Sequence, residues 1–173
     1  TMTQFTYQGT SYSDNISTYD LHNSYPGYDG FKLYGNDGDD TLSSSFIGRS
    51  GVDLISGGAG DDFMSASVYS SYAAYLTVSG GVGVDNLYIT SDHSIQVTDS
   101  ADSGFTRDYL TTKFTIIDNS DGSTLDISVI DDVEYISWGT ADGTAYILTE
   151  DLANGLVNWT DWDEVYDRTH GAN

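Results

Sequence analysis

Residues 35–65 read GNDGDDTLS, SSFI, GRSGVDLIS and GGAGDDFMS, so three nine-residue units stand in close succession. The units share one frame, with Gly at positions one and four, Asp at position six and an apolar residue at position eight. A fourth unit, GGVGVDNLY, occupies residues 80–88. The frame residues are Gly35, Gly38, Asp40 and Leu42; Gly48, Gly51, Asp53 and Ile55; Gly57, Gly60, Asp62 and Met64; and Gly80, Gly83, Asp85 and Leu87. Gly and Asp are common in all turns, but four copies in one frame exceed a generic turn preference.

The nine-residue period has room for one tight turn and one short strand. Positions seven to nine form a three-residue strand whose middle side chain points inward. Gly at positions one and four permits positive φ and a close approach of neighbouring backbones. Stacked units of this kind form a right-handed roll of short parallel strands around an apolar centre. We therefore predict an all-β fold, a short right-handed parallel β-roll that is followed by a small antiparallel β capping region.

The stacked turns predict a metal site rather than a catalytic one. Each position-six carboxylate comes close to the backbone carbonyls of the turn two units away, and oxygen ligands in a flexible shell favour Ca²⁺ over Mg²⁺. The absence of Cys and the scattered positions of the three His disfavour zinc and copper. The predicted metal-site residues are Gly35, Asp37, Gly38, Asp40, Gly48, Gly51, Asp53, Gly57, Gly60, Asp62, Gly80, Gly83 and Asp85.

The interrupted array bounds the number of ions. Four residues separate the first two units and fourteen separate the last two, so we expect about two to four Ca²⁺ ions. If alternate units line opposite sides, Asp40 pairs with the turn of Asp62, and Asp53 pairs with the turn of Asp85. The neighbouring acids Asp39 and Asp61 are either further ligands or solvated side chains.

The net charge of -22 arises from 27 acidic residues against five Lys and Arg, and only three of the acids are Glu. Such a charge disfavours the compact state unless cations neutralise it. It also excludes nucleic acid and anionic membranes as partners, because both need a basic face. The 38% of hydrophobic residues argue against a disordered chain.

No apolar run approaches the roughly 18 residues of a membrane span, which predicts no membrane insertion. The first residues, TMTQFTYQ, lack the basic and apolar regions of a signal peptide. If the protein is exported, we expect its export signal to lie elsewhere.

Two regions are predicted along the chain. Residues 1–97 form the roll with an N-terminal cap, which includes loose units at 9–17 and 26–34, and residues 98–173 form a β-rich capping segment packed against the roll. The Tyr-rich insertion 66–79 is interpreted as a lid or, alternatively, as a ligand platform. Strand-like runs occupy 89–97, 113–118, 125–130, 133–138 and 144–149, and residues 150–157 are a candidate helix.

The units resemble the RTX, or hemolysin-type, nonapeptide repeat G-G-x-G-x-D-x-U-x, in which U is aliphatic. Residues 57–65 and 80–88 match every fixed position when Met64 counts as aliphatic, whereas the units at Gly35 and Gly48 depart at position two with Asn36 and Arg49. The resemblance implies a module of secreted, extracellular bacterial proteins that are exported by the type I secretion machinery. It further implies a non-catalytic module that folds on Ca²⁺ binding outside the cell.

Two other functions compete with this interpretation. A calcium-stabilised module that binds polysaccharide or a cell surface is suggested by the aromatic residues, notably Tyr69, Tyr72, Tyr75, Trp138, Trp159 and Trp162. An enzyme would need an acid and base pair from carboxylates such as Asp131, Asp132 and Glu134. Because Asp is abundant throughout the chain and no nucleophile or base signature accompanies this pair, the sequence predicts no enzyme.

Overall fold

The computed structural model describes residues 3–46, 51–67, 73–90, 95–99, 111–118, 124–130, 133–140 and 143–148. The elements in chain order are β1 (Gln4–Gln8), β2 (Asn15–Ser17), α1 (Thr18–Ser24), β3 (Gly30–Asp37), β4 (Thr41–Ser45), β5 (Gly51–Ala59), β6 (Phe63–Ser67), β7 (Ala73–Val82), β8 (Asn86–Thr90), β9 (Ile95–Asp99), β10 (Thr111–Asp118), β11 (Thr124–Ile130), β12 (Tyr135–Thr140) and β13 (Gly143–Leu148). The fold is therefore all-β with a single short helix among the described residues.

Successive strands alternate between two sheets, which makes the molecule a parallel β-solenoid. One sheet has the order β1-β3-β5-β7-β11-β10-β9, and the other has the order β13-β12-β8-β6-β4-β2. Parallel pairing joins β1, β3, β5, β7 and β11 in the first sheet and β2, β4, β6, β8 and β12 in the second. This architecture agrees with the predicted stack of parallel strands and is compatible with a β-roll.

The position-eight side chains form the core, as the sequence predicts. In the second sheet, Ile16, Leu42, Met64, Leu87 and Ile136 occupy one register column, and all five are buried. The matching column of the first sheet consists of Leu33, Ile55, Val78 and Val129, which are also buried. Burial of these columns between the two sheets removes apolar surface from water. Each Å² buried contributes about 25 cal/mol to stability, which makes this burial the main favourable contribution to folding.

The strands are longer than the predicted three residues. β4, β6 and β8 have five residues each, whereas β5 has nine and β7 has ten. β4, β6 and β7 include residues of the two interruptions, whereas β5 lies wholly within the units at Gly48 and Gly57. In particular, the interpretation of the Tyr-rich insertion as a lid is wrong for residues 73–79, because they belong to β7, which pairs with β5 on one side and β11 on the other. Tyr69 and Tyr72 lie outside the described residues.

The sequence predicts no helix in residues 1–25, which lack a helical period, but the structure has α1 at Thr18–Ser24. α1 begins after Ser17, whose side chain accepts a hydrogen bond from the backbone N–H of Tyr19 at 3.2 Å, as an N-cap residue does. Within the described part of the chain, no helix combines the length and the apolar character needed to cross a bilayer.

Strands β10 to β13 lie where the sequence predicts strands, but they do not form a sheet of their own among the described residues. β11 pairs in parallel with β7, and β12 pairs in parallel with β8. The antiparallel pairs, β9 with β10, β10 with β11, and β12 with β13, extend the same two sheets. The predicted closing strand 89–97 is divided into β8 and β9, and the candidate helix 150–157 lies outside the described residues.

Candidate metal centre

Acidic side chains form a column along one edge of the solenoid, which we call the aspartate edge. The carboxylate of each turn accepts a hydrogen bond from the backbone N–H of the preceding acid of the column. Asp14 N–H donates to Asp40 Oδ1 at 2.7 Å, and Asp40 N–H donates to Asp62 Oδ1 at 2.8 Å. Asp62 N–H donates to Asp85 Oδ1 at 2.9 Å, and Asp85 N–H donates to Glu134 Oε2 at 2.7 Å. The position-six acids therefore connect turns that are 22 to 26 residues apart within the roll.

The second carboxylate oxygen of two acids in this column has no hydrogen-bond donor. Asp40 and Asp62 are 1% and 2% exposed, and their Oδ2 atoms are buried without a hydrogen-bond partner. A buried acceptor without a donor costs about 1–3 kcal/mol, and more when it is charged. Such an atom in a folded protein therefore indicates a missing donor, water or ion.

Backbone carbonyl oxygens lie beside these two carboxylates. A Cβ on Gly35 would collide with Asp40 Oδ2 and with the carbonyl oxygen of Gly57. A Cβ on Gly57 would likewise collide with Asp62 Oδ2 and approach the carbonyl oxygen of Gly80 to 2.8 Å. The position-one glycine thus makes room for a carboxylate from its own turn and a carbonyl from the next. Carboxylate and carbonyl oxygens are the ligands that Ca²⁺ takes in proteins.

The two predicted roles of the glycines, positive φ and close approach, are divided between positions. Positive φ occurs at position two, where Asn36 has 80° and Gly58 has 113°, and at position four, where Gly60 has 138°. Gly35 and Gly57 at position one have no positive φ. The prediction that positions one and four need positive φ is therefore half right, because position one needs Gly for the close approach of oxygens. Asn is among the residues that tolerate positive φ, which explains the departure at position two.

The electrostatic surroundings disfavour ionisation in the column. Burial raises the pKa of Asp62 to about 6; the N–H of Asp40 opposes this shift, and the carboxylates of Asp85, Asp40 and Asp39 add to it. Burial also raises the pKa of Asp40, against the hydrogen bond from Asp14. Stacked carboxylates in a poorly solvated edge resist carrying charge together. A bound divalent cation would reverse that preference by neutralising them.

An outer row of acids runs beside the buried column. Asp39 Oδ1 accepts the N–H of Asp61 at 2.8 Å, and Asp61 Oδ1 accepts the N–H of Val84 at 2.9 Å. Asp39 and Asp61 are exposed, as is Asp37 at the end of β3. The position-five acids therefore connect neighbouring turns in contact with solvent.

The second unit lies away from the aspartate edge. Asp53 is in β5, where its register partner is Leu76, and its Oδ1 accepts the N–H of Phe31 at 3.0 Å. Asp85 instead lies on the turn of Asp62. The predicted pairing of Asp40 with Asp62 therefore agrees with the structure, and the pairing of Asp53 with Asp85 is wrong. Gly48 lies outside the described residues, and Gly51 begins β5.

Sequence analysis missed two members of the column. Asp14 occupies position six of a loose unit whose position four is Tyr12, so the missing Gly concealed it. Glu134 lies outside the repeat frame, where the sequence suggests it only as part of an acid and base pair. The run DDVEY gave a signal for an acid before a strand, but only the parallel pairing of β12 with β8 places that acid on Asp85.

No group of three or more His, Asp or Glu side chains is arranged to hold a metal within the described ranges. A site on the aspartate edge would therefore combine one carboxylate of a turn with backbone carbonyls. Asp40 with Gly57 and Asp62 with Gly80 are the combinations that the geometry favours. Comparisons of the chain with protein-family models, with curated proteins and with solved structures gave no match.

Proposed function

We propose that this chain is a non-catalytic calcium-binding module that folds when it binds Ca²⁺ after export and assists type I secretion of a larger, extracellular bacterial protein. The observation that carries the proposal is the pair of buried Oδ2 atoms, in Asp40 and Asp62, that have no donor and lie beside glycine carbonyls. The resemblance of the four units to the RTX repeat supports the same ligand. Export and the secretion machinery rest on that resemblance alone.

The physical basis of the proposed switch is charge. At a net charge of -22 the folded chain concentrates acids along one edge, and self-repulsion opposes folding. An ion that binds only the folded state adds stability that grows with the logarithm of its free concentration. Low calcium then favours an unfolded, exportable chain, and high calcium favours the solenoid.

A calcium titration followed by far-ultraviolet circular dichroism tests the proposal. We expect β-structure to rise cooperatively as Ca²⁺ reaches millimolar concentration and equimolar Mg²⁺ to have a smaller effect, because Mg²⁺ dehydrates reluctantly and demands an octahedral shell. A chain with the same β-content in excess chelator and in calcium would contradict the proposal.

A second candidate function is binding of polysaccharide or a cell surface. It is favoured by exposed aromatic rings on the solenoid: Tyr75 is 51% exposed, and Phe63, 41% exposed, stacks on Tyr88 with ring centroids 5.9 Å apart. Flat aromatic surfaces suit sugar rings, although exposed rings also occur singly on proteins that bind nothing. A glycan array separates the two outcomes: binding that is lost in Phe63→Ala but kept in Val84→Ala supports this function, and a blank array rejects it.

A further inference from the structure

The acids at the edges of the solenoid differ in what contacts their Oδ2 atom. In Asp40 and Asp62 this atom is buried and has no hydrogen-bond partner. In Asp14 and Asp53 it accepts hydrogen bonds from a nearby residue of the chain. All four side chains fall at position six of a nine-residue unit, so sequence position does not distinguish them.

Asp14 lies in a turn that shares two features with the next two turns, a glycine at position one and a carbonyl oxygen beside that glycine. Its Oδ2 is 2.8 Å from a Cβ placed on Gly9, and the carbonyl oxygen of Gly35 lies beside the same point. The backbone N–H of Thr10 donates to this Oδ2 at 2.6 Å, and the Thr10 hydroxyl donates at 2.9 Å. Two donors from Thr10 therefore satisfy Asp14 Oδ2, whereas the equivalent oxygens of Asp40 and Asp62 in the next two turns have no donor.

Position two explains why only the first turn contains these donors. The equivalent residues Asn36 and Gly58 adopt positive φ and carry no hydroxyl, whereas Thr10 has no positive φ. Positive φ is strongly unfavourable for a β-branched residue. The first turn therefore adopts a different backbone conformation, in which the N–H and hydroxyl of Thr10 meet the carboxylate.

Asp53 is satisfied by a different hydroxyl. The Ser44 hydroxyl donates to Asp53 Oδ2 at 2.7 Å, while Phe31 N–H donates to Asp53 Oδ1 at 3.0 Å. Both Asp53 and Ser44 are buried, and they belong to opposite sheets, since Asp53 is in β5 and Ser44 in β4. The pair thus connects the two sheets inside the solenoid.

We infer that Asp14 and Asp53 hold no cation, because the hydroxyl groups of Thr10 and Ser44 satisfy the carboxylate oxygen that a divalent cation would satisfy at Asp40 and Asp62. Among the described residues, calcium binding is then confined to the aspartate edge. This inference rests on the proposed function. It divides acids of one repeat position into ligands, at Asp40 and Asp62, and structural acceptors, at Asp14 and Asp53.

Four matched variants test the division: Asp40→Asn, Asp62→Asn, Asp14→Asn and Asp53→Asn. Each keeps an oxygen that can accept the backbone hydrogen bond and loses one anionic oxygen. The readout is the slope of the unfolding free energy against the logarithm of free calcium, which counts the ions that the folded state binds and remains measurable in a destabilised variant. Calorimetric stoichiometry gives an independent count.

We expect Asp40→Asn and Asp62→Asn each to lower the slope by about one ion, and Asp14→Asn and Asp53→Asn to keep the wild-type slope at a lower overall stability. Ser44→Ala should behave like Asp53→Asn, because it removes only the hydroxyl donor. If Asp53→Asn or Asp14→Asn lowers the slope as much as Asp40→Asn and Asp62→Asn do, the inference is overturned while the proposed function stands. A wild-type slope of zero overturns the proposed function instead.

Discussion

Asp62 links three turns of the solenoid through its carboxylate and its backbone N–H. Its Oδ1 accepts the N–H of Asp40, its own N–H donates to Asp85, and its Oδ2 lies beside Gly57 in a space that the carbonyl of Gly80 also approaches. Loss of this carboxylate therefore affects the turns on both sides of its own. At this scale the proposed function would depend on single oxygen atoms and on the glycines that leave space for them.

A methyl group at position one is predicted to block the candidate site. In Gly57→Ala the new Cβ would meet Asp62 Oδ2 and the Gly80 carbonyl, so we expect weaker calcium binding and a loss of about 1–3 kcal/mol from overpacking. Calcium titration and urea unfolding measure the two effects. Gly27→Ala is the matched control, because nothing lies within 4 Å of a Cβ at that exposed position. Equal behaviour of the two variants would show that position one is not a site of close contact.

Calcium affinity is predicted to fall as the pH is lowered through the raised pKa of Asp62. Because that pKa is about 6 in the folded state and the ionised carboxylate is the proposed ligand, protons should compete with calcium. Each pH unit well below a pKa lowers the ionised fraction about tenfold. The site of Asp62 should therefore bind calcium about tenfold more weakly at pH 5 than at pH 7. Isothermal calorimetry at pH 5, 6 and 7 gives the profile.

In the calcium-free chain the same shift acts in the opposite direction on stability. A carboxyl group whose folded pKa is raised above its ordinary value of 3.8 stabilises the fold below pH 3.8, and that contribution is lost as the pH rises through about 6.

The control for the calcium-affinity prediction is Asp61→Asn, at the exposed neighbour of Asp62, which should retain the pH dependence of calcium affinity. A profile that is flat from pH 5 to 7 in wild-type protein would contradict the role of Asp62.

At the scale of the strand, the position-eight side chain decides whether a turn can stack. Leu87 in β8 is fully buried against Met64 and Ile136, its register partners on either side. Leu87→Ala should lower the unfolding free energy in saturating calcium by about 2–5 kcal/mol, through lost burial and an internal cavity. Val84→Ala, in the turn before the same strand, removes an exposed side chain and should change stability by less than about 0.5 kcal/mol. Urea unfolding compares the two, and similar losses would contradict the assignment of this column to the core.

The strands also separate what a local pattern can predict from what it cannot. Runs rich in β-branched and aromatic residues predicted β10 to β13 well, because alternation and β-propensity act within a few residues. β11 pairs with β10, its neighbour in the chain, and also with β7. The second pairing depends on contacts between residues about 50 positions apart, such as Val78 with Val129. Local propensity contains no information on that choice.

At the scale of the whole molecule, specific binding and general charge screening make different predictions. Sodium chloride at 0.5 M should screen the repulsion of a chain of charge -22 and stabilise it modestly, since screening acts between exposed charges beyond a few Å. It should not replace calcium, because the buried Oδ2 atoms of Asp40 and Asp62 need a ligand at close range. Circular dichroism of chelator-treated protein in either salt measures the difference. Full recovery in sodium chloride alone would contradict specific sites.

The sequence by itself determined the nine-residue frame, the inward side chain at position eight and the acids at position six, because each follows from local turn and strand geometry. Only the tertiary structure decided which acids meet. The stacking of whole coils places Asp40, Asp62 and Asp85 on one edge with Glu134, while Asp53 reaches Ser44 in the opposite sheet. The physical reason is that a coil of the roll spans 22 to 26 residues rather than the 18 of two units. The consecutive units of Asp62 and Asp85 therefore lie on the same edge, whereas Asp53 lies away from it. The contacts of each carboxylate are thus fixed by residues far away in the chain.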